Sequence, residues 1–387
     1  MKKKIAILGS TGSIGTTSLR IIETKKKLFN IEILSANKNK KKIEKQIKNF
    51  KPKIFIISNK KIFLQVKKKF KKSKIKIYEN FSKINYRKKK LDITISAIPG
   101  MAGLSPTINF IKLSKKILLA NKESIICGWD LIKNQSKKYS TQLVPIDSEH
   151  FSINELLKNN EKAVRTIFIT ASGGPFLYKK NSKNNIKPSD ALKHPKWKMG
   201  KKISINSATM MNKLFELIEA KKIFDKFKNK LKIIIHPQSQ IHAAIEYKNG
   251  LTHLLYHEPD MRIPISNAIF DSKLDIDDFI KLKKNKKIFE RLEFIKINKN
   301  NFPPIKFLPI LNKYVSLPII LNAANEILVD QFLSKKIKFN AIISNLYSIL
   351  RDKNFKKYAI KKAYSIQAIH KIDNWARGKT LRLIKNI

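Results

Sequence analysis

The sequence predicts a chain of more than one domain: an α/β Rossmann-like N-terminal domain, a central α+β domain and a helical C-terminus. Three observations predict it. Short apolar runs alternate with helix-spaced segments at the start, strands joined by a hairpin turn occupy the middle, and apolar residues recur at helical spacing near the end. At 387 residues the chain is too long for one ordinary domain. Its apolar fraction of 42% suffices for real cores.

Residues 5–8 form a buried-strand run, and residues 14–23 carry helical spacing. Further strands are expected at 31–36, 54–58 and 93–98, the last after a lysine-rich helix. A unit at 117–120 leads into Asn121-Lys122-Glu123, and one at 142–146 into Asp147-Ser148-Glu149. Short apolar strands alternating with helices imply a parallel sheet covered on both faces. The texture then changes. A strand at 165–171 ends in Ser172-Gly173-Gly174, and a helix is expected to begin at Ser207 and run through Ala220. Strands follow at 233–236, 242–247 and 251–256, the last two joined by Lys248-Asn249-Gly250 as a hairpin turn. Residues 271–301 are charged and weakly patterned, as a linker would be, and Ile342, Ile343, Leu346, Ile349 and Leu350 then mark a helical domain.

The net charge of +54 invites a nucleic-acid reading. The lysines, however, occur in nearly every segment rather than on one face, together with much isoleucine and asparagine, the trio that an A/T-rich coding bias favours. Zinc-finger spacing, aromatic RNP-like strands and heptad-linked basic regions are missing from the sequence. No specific nucleic-acid partner is expected, and no apolar run is long enough to cross a bilayer. A single cysteine, Cys127, excludes an internal disulfide, so the expected location is cytoplasmic.

Gly9-Ser10-Thr11-Gly12-Ser13-Ile14-Gly15 follows a strand and opens a helix. Small residues there let backbone N–H groups approach a dinucleotide pyrophosphate; the alternative is a plain tight turn. After the second strand stands Ser35-Ala36-Asn37-Lys38-Asn39-Lys40, with cations where an acid would hold the ribose of NAD. A 2′-phosphate would be welcome there, although Lys38 could equally reflect the lysine surplus.

Asp147 and Glu149 lie two apart after a strand, in a chain with 28 acids. Hard cations such as Mg²⁺ or Mn²⁺ prefer such oxygen ligands. Glu216 is the third ligand candidate, sharing a helix face with Asn212 and bordered by Lys213. The acid pair alone reads equally as a surface turn, and any one of the helix residues alone reads better as solvated helix surface. Ser172-Gly173-Gly174 suits an anion nest, and Ser207 either a phosphate donor or an N-cap. The loop from His194 to Gly200 carries Trp197, which either closes a lid or pins the loop to the core. His236, His242, His253 and His257 lack a zinc-binding spacing and read as structural.

Together these runs resemble the 1-deoxy-D-xylulose 5-phosphate reductoisomerase family. The resemblance rests on the glycine loop, LLANKES ending at Ser124, PIDSEHF ending at Phe151, SGGPF ending at Phe176 and HPKWKMGKKIS ending at Ser204. NSATMMNK ending at Lys213, IHPQS ending at Ser239, EPDMRIPI ending at Ile265 and LNAANE ending at Glu326 complete it. It implies a V-shaped homodimer of an oxidoreductase that uses NADPH and Mg²⁺ or Mn²⁺. The reaction implied is rearrangement and reduction of 1-deoxy-D-xylulose 5-phosphate, a small sugar phosphate, to 2-C-methyl-D-erythritol 4-phosphate for isoprenoid precursors. The domains implied are 1–149 for NADPH, 150–271 for catalysis, metal and dimerisation, a linker at 272–298, and helices at 299–387. Asp147, Glu149 and Glu216 would hold the metal, with Lys122 near metal and substrate. Ser148, Ser172, Ser207, Asn212 and Lys213 would bind the substrate and its phosphate, and His194 would close over it. Gly9, Thr11, Gly12, Ser13 and Ile14 would hold the cofactor phosphates, Asn37, Lys38 and Asn39 the adenosine ribose. Asn121 and Glu123 would touch the nicotinamide side, and Gly200 would also serve the cofactor. Leu214-Phe215, Asn206 and Asn37 depart from the residues usual in that family. A dehydrogenase without rearrangement and a basic RNA-binding protein are the competing readings; the acid set favours neither.

Overall fold

The computed structural model describes residues 1–84, 91–158, 163–178, 186–194, 197, 200–273, 275–276 and 291–385. It divides into two compact units.

The first unit contains a seven-stranded sheet of β1 (Lys3–Leu8), β2 (Phe29–Ala36), β3 (Ile54–Ile57), β4 (Lys76–Tyr78), β5 (Leu91–Ser96), β6 (Ser114–Leu119) and β7 (Gln142–Pro145), ordered β4-β3-β2-β1-β5-β6-β7. Every pairing is parallel, with Ile5 of β1 set against Ile31 of β2 and Ile93 of β5. Parallel strands need crossovers; α1 (Ser13–Thr24), α2 (Lys40–Phe50), α3 (Lys60–Lys69), α4 (Leu104–Ile111) and α5 (Lys122–Tyr139) supply five of the six. Ile5, Ile7, Ile33, Leu34, Phe55 and Ile95 are wholly buried, which explains the unbroken apolar runs. β4 escaped the sequence reading because three residues, Lys76-Ile77-Tyr78, carry too little pattern. The strand order reverses beside β1, the crevice where open α/β sheets bind ligands. α10 (Arg262–Phe270) also belongs here: Phe270 meets Phe29 edge-on, and buried Lys116 bonds the Ala268 carbonyl (2.9 Å) and Asp271 (2.6 Å).

The second unit holds a five-stranded sheet, β11-β10-β8-β9-β12, made of β8 (Val164–Ala171), β9 (Leu231–Ile235), β10 (Ile241–Tyr247), β11 (Thr252–Tyr256) and β12 (Ile295–Lys296). β10 and β11 form the expected hairpin, with Gly250 at φ +87° in its turn. β12 lies within the stretch expected to be a linker; residues 274 and 277–290 of that stretch lie outside the described residues. After the short α7 (Pro188–Ala191), the one helix expected from Ser207 to Ala220 is in fact two, α8 (Lys201–Ala208) and α9 (Met211–Ile223). Between them Met210 takes a left-handed φ of 62°, and the Thr209 hydroxyl donates to the last-turn carbonyls of Ile205 and Asn206. Ser207 therefore sits in the last turn of α8, not at a helix start. α11 (Leu317–Leu333), α12 (Phe339–Leu350), α13 (Phe355–Ala359) and α14 (Ile366–Lys385) make up the C-terminal helices. Ile342, Leu346 and Ile349 face their core.

Candidate functional site

In the first unit the predicted residues gather at the C-terminal ends of the parallel strands. β1 runs into Gly9, whose φ is +85° and whose N–H donates to the carbonyl (3.1 Å) and Oγ (3.0 Å) of Ser35. A Cβ at Gly9 would lie 2.5 Å from the Ala97 oxygen, and one at Gly15 would strike the Gly9 carbonyl. Those two glycines are there so that backbones can cross. Gly12 is different: it is the exposed N-cap of α1, without a side-chain cap, and no acid stands in the first turn. With Thr11, Ser13 and Ile14 around it, the helix start offers N–H donors and positive potential to an anion.

Asn37, Lys38 and Asn39 are exposed just beyond β2. Asn39 caps α2 by accepting the Lys42 N–H at 3.1 Å, so at least part of its role is local. Asn121 is buried and consumed by the scaffold: its Oδ1 caps α5 through Ser124 N–H, and its Nδ2 donates to the carbonyls of Ile98 and Gly100. Glu123 is half-buried in the first turn of α5. Lys122 donates to Asp147 Oδ2 at 2.6 Å, with both side chains about 20% exposed (20% and 19%). Asp147 immediately precedes α6 (Ser148–Leu157), and Ser148 donates its hydroxyl to the Glu149 carboxylate. His150, fully buried with Nδ1 3.5 Å from Asp147 Oδ1, is a neighbour that the sequence reading passed over. Its spacing of three from Asp147 was the available signal.

The second unit carries the other predicted residues. Gly173 and Gly174, at φ +80° and +70°, turn the chain after β8; a Cβ on Gly174 would lie 2.7 Å from the Ser207 carbonyl. The nest is thereby pressed against the end of α8. Ser172 Oγ accepts the Gly174 N–H (3.2 Å) and lies 3.1 Å from His194 Nε2. His194 Nδ1 accepts the Trp197 N–H at 2.9 Å, so a neutral ring carries its proton on Nε2 and donates it to Ser172. Burial first, and the Lys213 charge second, push the His194 pKa down to about 4. Buried Lys213 pairs with buried Glu216, and Asn212 Nδ2 donates to Glu216 Oε1 at 2.5 Å, so the expected shared face of α9 exists. α9 also begins without a side-chain cap. Ser207 is buried in the neighbouring turn, and Gly200 is the exposed N-cap of α8.

Trp197 is half-buried with its ring edge-on to His242 at 5.9 Å, the pinning arrangement; Pro195, Lys196, Lys198 and Met199 of the proposed lid lie outside the described residues. His242 and His257 stack at 3.7 Å and bond backbone carbonyls, and burial pushes His257 down to about 4. These rings are built into the core, as their spacing suggested. No helix among the described residues is long and apolar enough to cross a membrane.

Three family profiles match the chain. 1-Deoxy-D-xylulose 5-phosphate reductoisomerase covers residues 5–128, that enzyme's C-terminal domain covers 143–224, and a further DXP reductoisomerase C-terminal domain covers 257–379. The chain is 47% identical to the 1-deoxy-D-xylulose 5-phosphate reductoisomerase of Pelagibacter ubique over 97% of its own length and 98% of the relative's. It is 39% identical to that of Phocaeicola vulgatus over 88% and 89%. Among solved structures, a DOX-P reductoisomerase in complex with NADPH, fosmidomycin and magnesium superposes with a TM-score of 0.88 at 30% identity, covering 99% and 98% of the two chains. The Zymomonas mobilis reductoisomerase in complex with NADPH gives 0.87 at 31% identity, covering each chain fully (100% and 100%).

Proposed function

The chain belongs to the 1-deoxy-D-xylulose 5-phosphate reductoisomerase family, and from that premise we propose how its own residues divide the work. The enzyme is an NADPH- and divalent-metal-dependent oxidoreductase that converts 1-deoxy-D-xylulose 5-phosphate to 2-C-methyl-D-erythritol 4-phosphate.

The donor set suits a hard cation. Half-buried Asp147 and Glu149 and buried Glu216 each offer a carboxylate oxygen, and the chain's one cysteine is a buried one elsewhere in the sequence. We assign all three carboxylates to one divalent ion, Mg²⁺ or Mn²⁺. Bound there, the ion supplies Lewis-acid polarisation of the substrate oxygens, while NADPH supplies the hydride. Lys122 holds the Asp147 carboxylate in place and adds positive charge where the substrate oxygens lie. The substrate phosphate goes to Ser172, Ser207, Asn212 and Lys213, with Ser148 on the sugar and His194 closing over it.

The observation that carries this assignment is the neutral His194 donor beside the Lys213 charge, next to a glycine nest. A phosphate needs fixed donors and one cation, and those groups supply both. Thr11, Gly12, Ser13 and Ile14, with Gly9 shaping the turn, hold the cofactor pyrophosphate. Asn37, Lys38 and Asn39 take the adenosine ribose and its phosphate, Asn121 and Glu123 shape the nicotinamide side, and Gly200 borders the cofactor from α8. Of the expected domains we keep the division near residue 150, with α10 assigned to the first unit and β12, from the stretch expected as a linker, to the second; we also propose a cytoplasmic location and a homodimer. Support for the dimer comes from β11, an edge strand whose flank exposes Leu251 (57%) and Leu254 (43%).

The test is NADPH oxidation with 1-deoxy-D-xylulose 5-phosphate after chelation and again after Mg²⁺ or Mn²⁺ is restored. Turnover should vanish with the chelator and return with the ion. Metal-independent turnover would overturn the assignment.

A further inference from the structure

We propose that Gln46 is a positioning residue that fixes the glycine loop in its cofactor-binding shape. The inference rests on the reading of that loop as the pyrophosphate seat.

Gln46 lies on α2, surrounded in sequence by lysines, and is only 6% exposed. A buried amide needs partners for both its ends. Both ends go to one residue, Ser10, in the middle of the glycine loop: Ser10 Oγ donates to Gln46 Oε1 at 2.7 Å, and Gln46 Nε2 donates to the Ser10 carbonyl at 2.9 Å. Ser10 itself is fully buried, and its N–H donates to the Ser35 carbonyl at 2.8 Å. The loop is thus held from β2 through the Ser10 N–H, from α2 through the Ser10 carbonyl, and from both through the Ser10 hydroxyl, which also lies 3.1 Å from the Ser35 carbonyl. Near the start of the same helix, Lys42 donates to the Thr11 carbonyl at 3.2 Å, one residue further along the loop.

The consequence is geometric. Thr11, Gly12 and Ser13 follow Ser10 directly, and their N–H groups can serve an anion only while the loop keeps its path. α2 is also the helix that Asn39 caps and Lys38 precedes. One helix therefore carries both the brace of the pyrophosphate loop and the segment proposed for the ribose phosphate. A two-point amide clamp fixes the register between them, which a single apolar contact cannot do. Pre-organised donors bind an anion without first having to be ordered.

The test uses Gln46→Met, which keeps length and bulk but removes both hydrogen bonds, and Ser10→Ala, which removes only the hydroxyl. NADPH affinity is read by cofactor fluorescence in the full chain, with turnover at saturating NADPH and thermal midpoint measured alongside. Gln46→Met should weaken NADPH binding about tenfold, and Ser10→Ala about threefold, from the lost hydrogen bonds. Turnover at saturating NADPH should stay within about threefold, because the clamp does not touch the reacting atoms. A lower melting midpoint with unchanged NADPH affinity in both variants would overturn the proposal, leaving Gln46 a core residue only. Gly12→Asp separates the two readings. It places a carboxylate at the start of α1, where it favours the helix and repels a phosphate. Lost NADPH binding in Gly12→Asp with normal binding in Gln46→Met and Ser10→Ala would sink the clamp alone. Normal binding in Gly12→Asp would sink the loop assignment on which it rests.

Discussion

The two units present polar groups in opposite ways. In the first, the candidate groups stand at strand ends, each in the first turn of a helix or the loop before it: the glycine loop after β1, Asn121-Lys122 after β6, Asp147 after β7. Their placement follows from chain order, because every parallel strand delivers its C-terminal end to the same edge. In the second, the groups are buried or half-buried and paired with one another. Ser172 meets His194 at a separation of 22 residues, and Gly174 packs on Ser207. A strand-end site can be laid out by topology, whereas a paired site must be built by packing. The first should tolerate single polar changes in the fold while losing ligand; the second should register them in both.

The harshest way to break that comparison is to change one metal-ligand candidate in each unit. Glu149→Gln and Glu216→Gln should each weaken Mn²⁺ binding and lower turnover on the order of a thousandfold or more, the scale of lost Lewis-acid stabilisation. NADPH binding should persist in both. Mn²⁺ calorimetry beside the activity assay decides it, and an ion lost from only one of the two variants would mean that the carboxylates do not share it.

Lys213→Ala comes next. Loss of a charge-assisted phosphate contact of about 1.5–3 kcal/mol should raise the substrate KM about tenfold to a hundredfold. NADPH affinity should hardly move. Since Lys213 is also the buried partner of Glu216, the melting midpoint should fall as well, which is the double effect expected of a paired site.

Lys38→Glu is the matching change in the first unit. Lys38 is exposed, so folding stability should be unaffected while the preference for NADPH over NADH narrows about tenfold or reverses. Equal specificity constants for the two cofactors in the parent enzyme would remove the basis for Lys38 altogether.

The smallest effect is on stability against pH. His194 and His257 sit at about 4 in the fold against an ordinary 6.5, chiefly because burial disfavours the imidazolium. Between those values the unfolded chain binds protons that the folded one refuses. The stabilisation is therefore complete above about pH 6.5 and is lost as pH falls toward 4. The thermal midpoint should drop about a few degrees between pH 7 and pH 5, and His257→Gln should flatten the slope. An unchanged slope in that variant would show that other groups set it.

Much of the first unit was legible because burial on both faces of a parallel sheet leaves continuous apolar runs: Ile5 to Leu8 and Ile31 to Ala36 were readable without any tertiary knowledge. The glycine loop was readable too, as a place for close backbone approach, although the crossings at Gly9 and Gly15 show only in the fold. Asp147, Glu149 and Glu216 stood out as acids in a lysine-rich chain, and Asn212 with Glu216 followed from helix periodicity. What the sequence could not decide is which polar side chain is spent on which neighbour. Asn121 looks like a ligand group and is absorbed by Ile98, Gly100 and Ser124. Gln46 carries no signal among its lysine neighbours and clamps Ser10 in the fold. Ser207 looks like a helix start and closes α8 instead, because Met210 leaves the helical region before α9 begins. Apolar periodicity is a local property, set by how one strand or helix meets the core. Hydrogen-bond partners are chosen among groups that only the folded chain brings within 3 Å or so, and that choice belongs to the tertiary structure.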